Sequence, residues 1–272
     1  MKKYVCKISA TSTTPPTTTT SRSRTSRTTG PARCAASARA NSRRPDTAGR
    51  IYFIAGIDTG VGKTVATGLM ARSLLARGVD AITVKLVQTG CAGGVADDLA
   101  RHRAISGAAP CYEDTLGLTS PQIFTFPASP ELAARREGKK VDLRRILMCV
   151  QACAAHHEIV LAEGAGGLAV PLADDLLAID LAARQKWPLI LVTSGRLGSI
   201  NHTLLSLEAA KRRRMKIAGI VYNWTPDADP EIDADTPRTL RNFMTQMKID
   251  APLVRLPELS RAGDLDFSPF FA

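Results

Sequence analysis

From Arg50 onward, short continuous apolar runs alternate with stretches in which apolar residues recur every three to five positions. The runs at 51–55, 81–84, 159–162, 189–193 and 217–222 read as strands covered on both faces, because no polar residue alternates through them. Residues 63–77 carry Val65, Leu69, Met70 and Leu74 at helical spacing and stop at Gly78. A second helix is predicted over 142–156, with Asp142 as its N-cap. Further helices are predicted at 200–213 and 237–247, and a strand at 252–256 closes the series. Strand–helix alternation of this kind predicts an α/β fold: a mostly parallel sheet with helices on both faces, in a single domain. Ligands then gather at the carboxyl ends of the strands. The segment 89–130 is richer in Pro and Gly and reads as loops and short helices over that end.

Residues 1–50 break the pattern. They are dominated by Thr, Ser, Arg and Pro, and cannot bury enough apolar surface to offset chain entropy, so we expect a disordered basic extension before a folded domain at 51–272. Arg-rich, acid-poor composition also fits a transit peptide, and a mis-assigned start codon fits equally well. The extension changes the meaning of the formal charge of +11. It holds three Lys, eight Arg and one acid, leaving residues 51–272 with 25 basic and 24 acidic side chains. The folded part is close to neutral, which argues against nucleic acid as a partner. No apolar run approaches membrane-spanning length. Six cysteines without a disulfide-framework spacing suit a reducing, cytoplasmic setting.

The chemistry begins at Gly56-Ile57-Asp58-Thr59-Gly60-Val61-Gly62-Lys63-Thr64, between the first strand and the first helix. Glycines let backbone amides turn inward around phosphate oxygens, Lys63 adds a point charge toward the β- and γ-phosphates, and the Thr64 hydroxyl suits magnesium. A chance Gly-Lys-Thr in a surface loop would lack the flanking strand and helix. Five residues rather than four separate Gly56 from Gly62-Lys63-Thr64. Partition and septum-positioning ATPases share that longer loop but carry a signature lysine where Asp58 stands here. That departure counts against a partition-type regulatory ATPase, which stays open as an alternative.

Three more segments lie at strand ends: Lys85-Leu86-Val87-Gln88-Thr89-Gly90, Glu163-Gly164-Ala165-Gly166-Gly167, and Gly198-Ser199-Ile200-Asn201-His202. With the phosphate loop and Ser129-Pro130, their order and spacing resemble the dethiobiotin synthetase family from about Ile51 to Leu259. Two of the segments are shared in part with cobyrinate diamide synthases, a second alternative. The resemblance implies an ATP-dependent carbon–nitrogen ligase. Carbon dioxide adds to an amine of 7,8-diaminononanoate, ATP activates the carbamate, and the second amine closes the cyclic urea of dethiobiotin. By resemblance, Lys63, Lys85 and Thr59 face the reacting phosphate. ATP is held by Gly60, Val61, Gly62, Lys63, Thr64, Val65, Asp98, Glu163, Gly164, Ala165 and Gly166. Asn223, Trp224, Pro257, Glu258 and Leu259 meet the base. Thr89, Ser199 and Asn201 contact the diamine substrate. Mg²⁺ is ligated by Thr64, Glu163 and one of Asp97-Asp98, with Asp98 favoured by its distance from Ser106-Gly107. A homodimer is implied, the partner closing the far end of the substrate pocket. Leu86 departs from the family's usual proline, which loosens the backbone there and leaves the Lys85 charge in place. Cys149, Cys153, His156 and His157 could be drawn as a metal cluster. Their helical spacing is that of core packing, and no second Cys/His group accompanies them.

Overall fold

The computed structural model describes residues 48–224, 229–257, 259 and 265–272. The proposed extension up to residue 47 and the base-contact candidate Glu258 lie outside the described residues. In chain order the elements are β1 (Arg50–Gly56), α1 (Lys63–Ala76), β2 (Ala81–Lys85), β3 (Gln88–Thr89), α2 (Asp97–Ser106), α3 (Tyr112–Thr115), β4 (Ile123–Phe124) and α4 (Pro130–Arg136). They continue as α5 (Leu143–His156), β5 (Ile159–Gly167), β6 (Pro171–Ala173), β7 (Leu176–Leu177), α6 (Ala178–Arg184), β8 (Leu189–Ser194), α7 (Ser199–Arg212), β9 (Ile217–Asn223), α8 (Pro230–Gln246) and β10 (Leu253–Leu256).

Six strands form one parallel sheet in the order β10-β9-β8-β1-β5-β2. Period-two alternation divides its apolar residues between two cores. Tyr52 and Ile54 of β1 join Leu69, Met70 and Leu74 of α1 on one face. Phe53 and Ala55 face the other way, with Ile146 and Val150 of α5 and Leu207 of α7. Both faces are thus covered, as the unbroken apolar strands require.

Three departures from the sequence reading have physical causes. Strand β5 runs on to Gly167 because it is clamped between neighbours: Glu163 registers with Ile54 on β1 and with Lys85 on β2. Helix α8 begins at Pro230, not Pro237. The Asp229 carboxylate caps it by accepting from the amides of Glu231 (2.8 Å) and Ile232 (3.3 Å), and Pro230 takes the first helical position. A proline inside a helix costs about 3 kcal/mol; Pro237 sits in the helix's buried face with Thr236, Leu240 and Met244, whose burial offsets part of that cost. Finally, the turn at Ser268–Phe271 is part of the core. Phe271 meets Tyr52 edge-on at 4.9 Å, and Phe270 lies so close to β9 that a Cβ on Gly219 would come within 2.4 Å of its ring.

Candidate active site

The phosphate loop turns out of β1 through Gly60 and Gly62, at φ 72° and 92°. Gly62 must be glycine on two counts: the left-handed backbone, and a Cβ that would stand 2.2 Å from Asn223 Nδ2. Asn223, at the end of β9, donates to Val61 O at 3.0 Å and so braces the loop from behind. Lys63 Nζ folds back to Asp58 O at 3.1 Å. Asp58 accepts from the Thr59 amide at 2.7 Å and pairs with Arg196 at 3.3 Å across an exposed gap.

In front of the loop is a cavity of about 410 Å³, lined among others by Thr59, Gly60, Lys63, Thr64, Lys85 and Thr89. Val65, Asp98, Arg101, Glu163, Ala165 and Gly166 complete much of its wall. A larger cavity of about 590 Å³ opens beside Arg50, Glu158 and Ile159, where β1 and β5 begin. That is the amino end of the sheet, away from the glycine-rich turns, so the smaller cavity is the candidate site.

Its floor is a buried charge cluster. Register places Lys85 beside Glu163, and Lys85 Nζ reaches Glu163 Oε1 at 2.8 Å, Gly164 O at 3.0 Å and Asp98 Oδ2 at 2.6 Å. The Thr64 hydroxyl lies 3.0 Å from Asp98 Oδ1 and 3.3 Å from Glu163 Oε1. The other oxygen of Glu163 receives Thr67 Oγ1 and His102 Nε2, both at 2.8 Å. Of the Asp97-Asp98 pair, Asp98 turns inward and Asp97 is exposed. Burial opposes the charge on Lys85, yet Glu163 and Asp98 outweigh it and raise its pKa. Burial likewise opposes the charge on Glu163, but Lys85 and His102 hold the carboxyl well below the usual carboxylate range. Both groups are therefore charged. Among the described residues Lys63 has no carboxylate so close: burial, then repulsion from Lys85, lowers its pKa to about 8.

A lysine ammonium already sits between two carboxylates, with a hydroxyl in reach of both. Hard oxygen donors around a seated cation fit a small divalent ion that keeps several waters. Ser199 and Asn201 stand elsewhere. The Ser199 hydroxyl is buried against Ser194 Oγ at 2.9 Å, and Asn201 borders a separate groove with Leu205 and Lys211. Trp224 is tied to β10 through Leu256 O at 3.2 Å, and Pro257 follows that strand. The sequence reading missed His102, Thr67 and Arg101. Its available signals were the spacings of His102 from Asp98 and of Thr67 from Lys63, each four residues on one helix face. Cys149 and Cys153 are buried in α5, and burial pushes the Cys153 thiol up to about 12, so packing accounts for them.

A family model described as an AAA domain matches residues 50–262. The chain is 43% identical to the ATP-dependent dethiobiotin synthetase BioD 2 of Pasteurella multocida over 195 residues, which are 72% of this chain and 91% of that one. The corresponding protein of Haemophilus influenzae is 48% identical over 66% of this chain and 94% of its own length. That of Chlorobaculum tepidum is 44% identical over 76% and 87%. With relatives this similar matched along most of their length, the chain belongs to the ATP-dependent dethiobiotin synthetase family.

Proposed function

We propose that this site carries out the family's reaction: ATP-dependent carboxylation of 7,8-diaminononanoate and closure of the ureido ring to dethiobiotin, with release of ADP and phosphate. The observation that carries the assignment to this cavity is the convergence of Lys63, from the loop, and Lys85, from the second strand, on one space lined by turned-in backbone. The reaction must bring an anionic carbamate to an anionic phosphate. Two ammonium groups on separate rigid elements supply fixed positive charge there without reorganisation.

Each residue has a distinct task. The amides of Gly60–Thr64 surround the β-phosphate, and Lys63 neutralises the β/γ-bridge. Lys85 faces the carbamate and the γ-phosphate, with Thr59 alongside. Thr89 holds the diamine at the cavity wall. Asn223, Trp224, Pro257, Glu258 and Leu259 border the base. Thr64, Asp98 and Glu163 would hold Mg²⁺, which when bound offsets phosphate charge. Ser199 and Asn201, which lie outside this cavity, act on the substrate's carboxylate tail across a homodimer contact. The near-neutral folded part and the small cavity support small-molecule substrates. Among the described residues no helix is long and apolar enough to cross a membrane.

The direct test is incubation of the purified chain with ATP, magnesium, bicarbonate and 7,8-diaminononanoate, with dethiobiotin detected by mass. Stoichiometric ADP and dethiobiotin are expected. ATP turnover that ignores the diamine would overturn the assignment.

A further inference from the structure

His102 is fully buried, and its Nε2 lies 2.8 Å from Glu163 Oε2. Its Nδ1 is also buried and has no hydrogen-bond partner among the described residues. A carboxylate can only accept, so Nε2 is the donor in this bond. Leaving a buried polar atom unpaired costs about 1–3 kcal/mol. A histidine that merely filled space would carry this cost for nothing, whereas an aliphatic side chain would not. Among the described residues its one polar contact is to Glu163.

That contact has a geometric consequence. His102 Nε2 donates to Oε2, which the Thr67 hydroxyl also faces at 2.8 Å with Lys63 O 2.9 Å away, while Lys85 and Thr64 address Oε1. One oxygen is therefore locked from behind, and the other is turned toward the cavity. Helix α2 is itself pinned. Arg103, next in sequence to His102, forms a two-pronged pair with Asp114 (3.0 and 2.8 Å) and reaches Thr83 Oγ1 at 2.8 Å on β2. Asp98 and His102 lie one turn apart on this helix, so a single rigid element fixes one carboxylate directly and orients the other.

We propose that His102 is a positioning residue: its Nε2–H fixes the rotation of the Glu163 carboxylate, so that Oε1 is presented for cation binding beside Thr64 and Asp98. The inference rests on Glu163 being a metal ligand, as proposed above. A hydrogen bond to the far oxygen of a ligating carboxylate narrows its orientations and raises metal affinity.

The test measures Mn²⁺ affinity by electron paramagnetic resonance in the presence of a non-hydrolysable ATP analogue, for the full chain and three variants. His102→Asn is too short to reach Oε2 and should weaken Mn²⁺ by roughly 10–100-fold. Analogue affinity without metal should be unchanged. His102→Gln places an amide N–H where Nε2 stands and should restore most of the loss. Glu163→Gln is the control. If it weakens Mn²⁺ while His102→Asn binds like wild type, the positioning role is overturned and the metal site stands. If Glu163→Gln itself binds like wild type, the metal reading falls. Nitrogen-15 histidine spectra of the unmutated chain decide the case where a variant does not fold. They should show an Nε2–H proton at His102 whose resonance moves on adding Mg²⁺ with the analogue. A resonance that stays put overturns the proposal.

Discussion

Lys85→Gln removes an ammonium that is 4% exposed, 2.6 Å from Asp98 and 2.8 Å from a fully buried Glu163. Two consequences follow, and they differ in sign. Without metal, two carboxylates lose their shared cation, and breaking a buried pair from one side costs about 3–5 kcal/mol. The melting temperature of the metal-free variant should fall accordingly. A divalent ion can refill the gap, so added Mg²⁺ should raise the variant's melting temperature more than the wild type's. The ammonium also competes for the same oxygens. Nucleotide-free Mn²⁺ binding should therefore be tighter in the variant, by about tenfold for each ~1.4 kcal/mol of competition relieved. In catalysis the outcome reverses. Lys85 matters most where carbamate and γ-phosphate meet, and losing one such electrostatic contact costs on the order of 10²–10³ in rate. ATP affinity should stay near wild type, whereas Lys63→Gln should impair binding and rate together. Nucleotide titration, Mn²⁺ titration and single-turnover dethiobiotin formation separate these outcomes. Normal turnover by Lys85→Gln would refute the carbamate-activation role. Unchanged Mn²⁺ affinity would refute the shared occupancy of the carboxylates.

Glu163→Gln should raise the magnesium concentration for half-maximal rate and lower turnover; unchanged metal dependence would exclude Glu163 as a ligand. Deleting residues 1–47, ahead of the Gly49 amide that bonds Ala154 O at 2.7 Å, should leave turnover and melting temperature as they were. Loss of folded protein would move the domain boundary. Gly219→Ala, with its Cβ 2.4 Å from the Phe270 ring, should cost about 1–3 kcal/mol in urea unfolding, recovered in part by Phe270→Leu. His157 Nδ1 donates to Asp80 Oδ1 at 2.8 Å, with Glu113 3.5 Å from its other nitrogen. Burial would lower its pKa, but the two acids prevail and raise it from 6.5. A raised folded pKa gives stability that is complete below 6.5 and fades as pH rises through the folded value. The stability gap between wild type and His157→Gln should therefore be widest in mild acid and narrow above neutrality; a gap independent of pH would remove His157⁺ from the account.

What the sequence disclosed and what it withheld follow from the range of the forces involved. The phosphate loop was legible because its constraint is local: Gly62 sits at φ 92° with no room for a Cβ, and such positions announce themselves as glycine. The N-cap at Asp142 was legible for the same reason, its carboxylate accepting from the Arg145 amide at 2.9 Å within its own first turn. The carboxyl half of β5 was not, because Gly164, Gly166 and Gly167 have poor strand propensity, Gly166 turns left-handed at φ 64°, and the segment is carried on only by the distant pairing of Gly167 with Gly56 on β1. Helix α2 was hidden by its weak amphipathicity: Asp97, Asp98, Arg101, His102 and Arg103 leave little apolar stripe. Its stability comes from Arg103 on Asp114 and from Gly68 of α1, which admits Ile105 within 2.8 Å of where a Cβ would stand. Those contacts are distant in sequence, and so is the one that matters most at the site. His102 is 61 positions from Glu163, in a helix that propensity barely supports, and its meaning resides wholly in the partner it meets. An element whose local preference is weak but whose tertiary anchoring is strong can be spent on polar residues. In this fold α2 spends its inward face on Asp98 and His102, where a helix selected for stability alone would carry leucine.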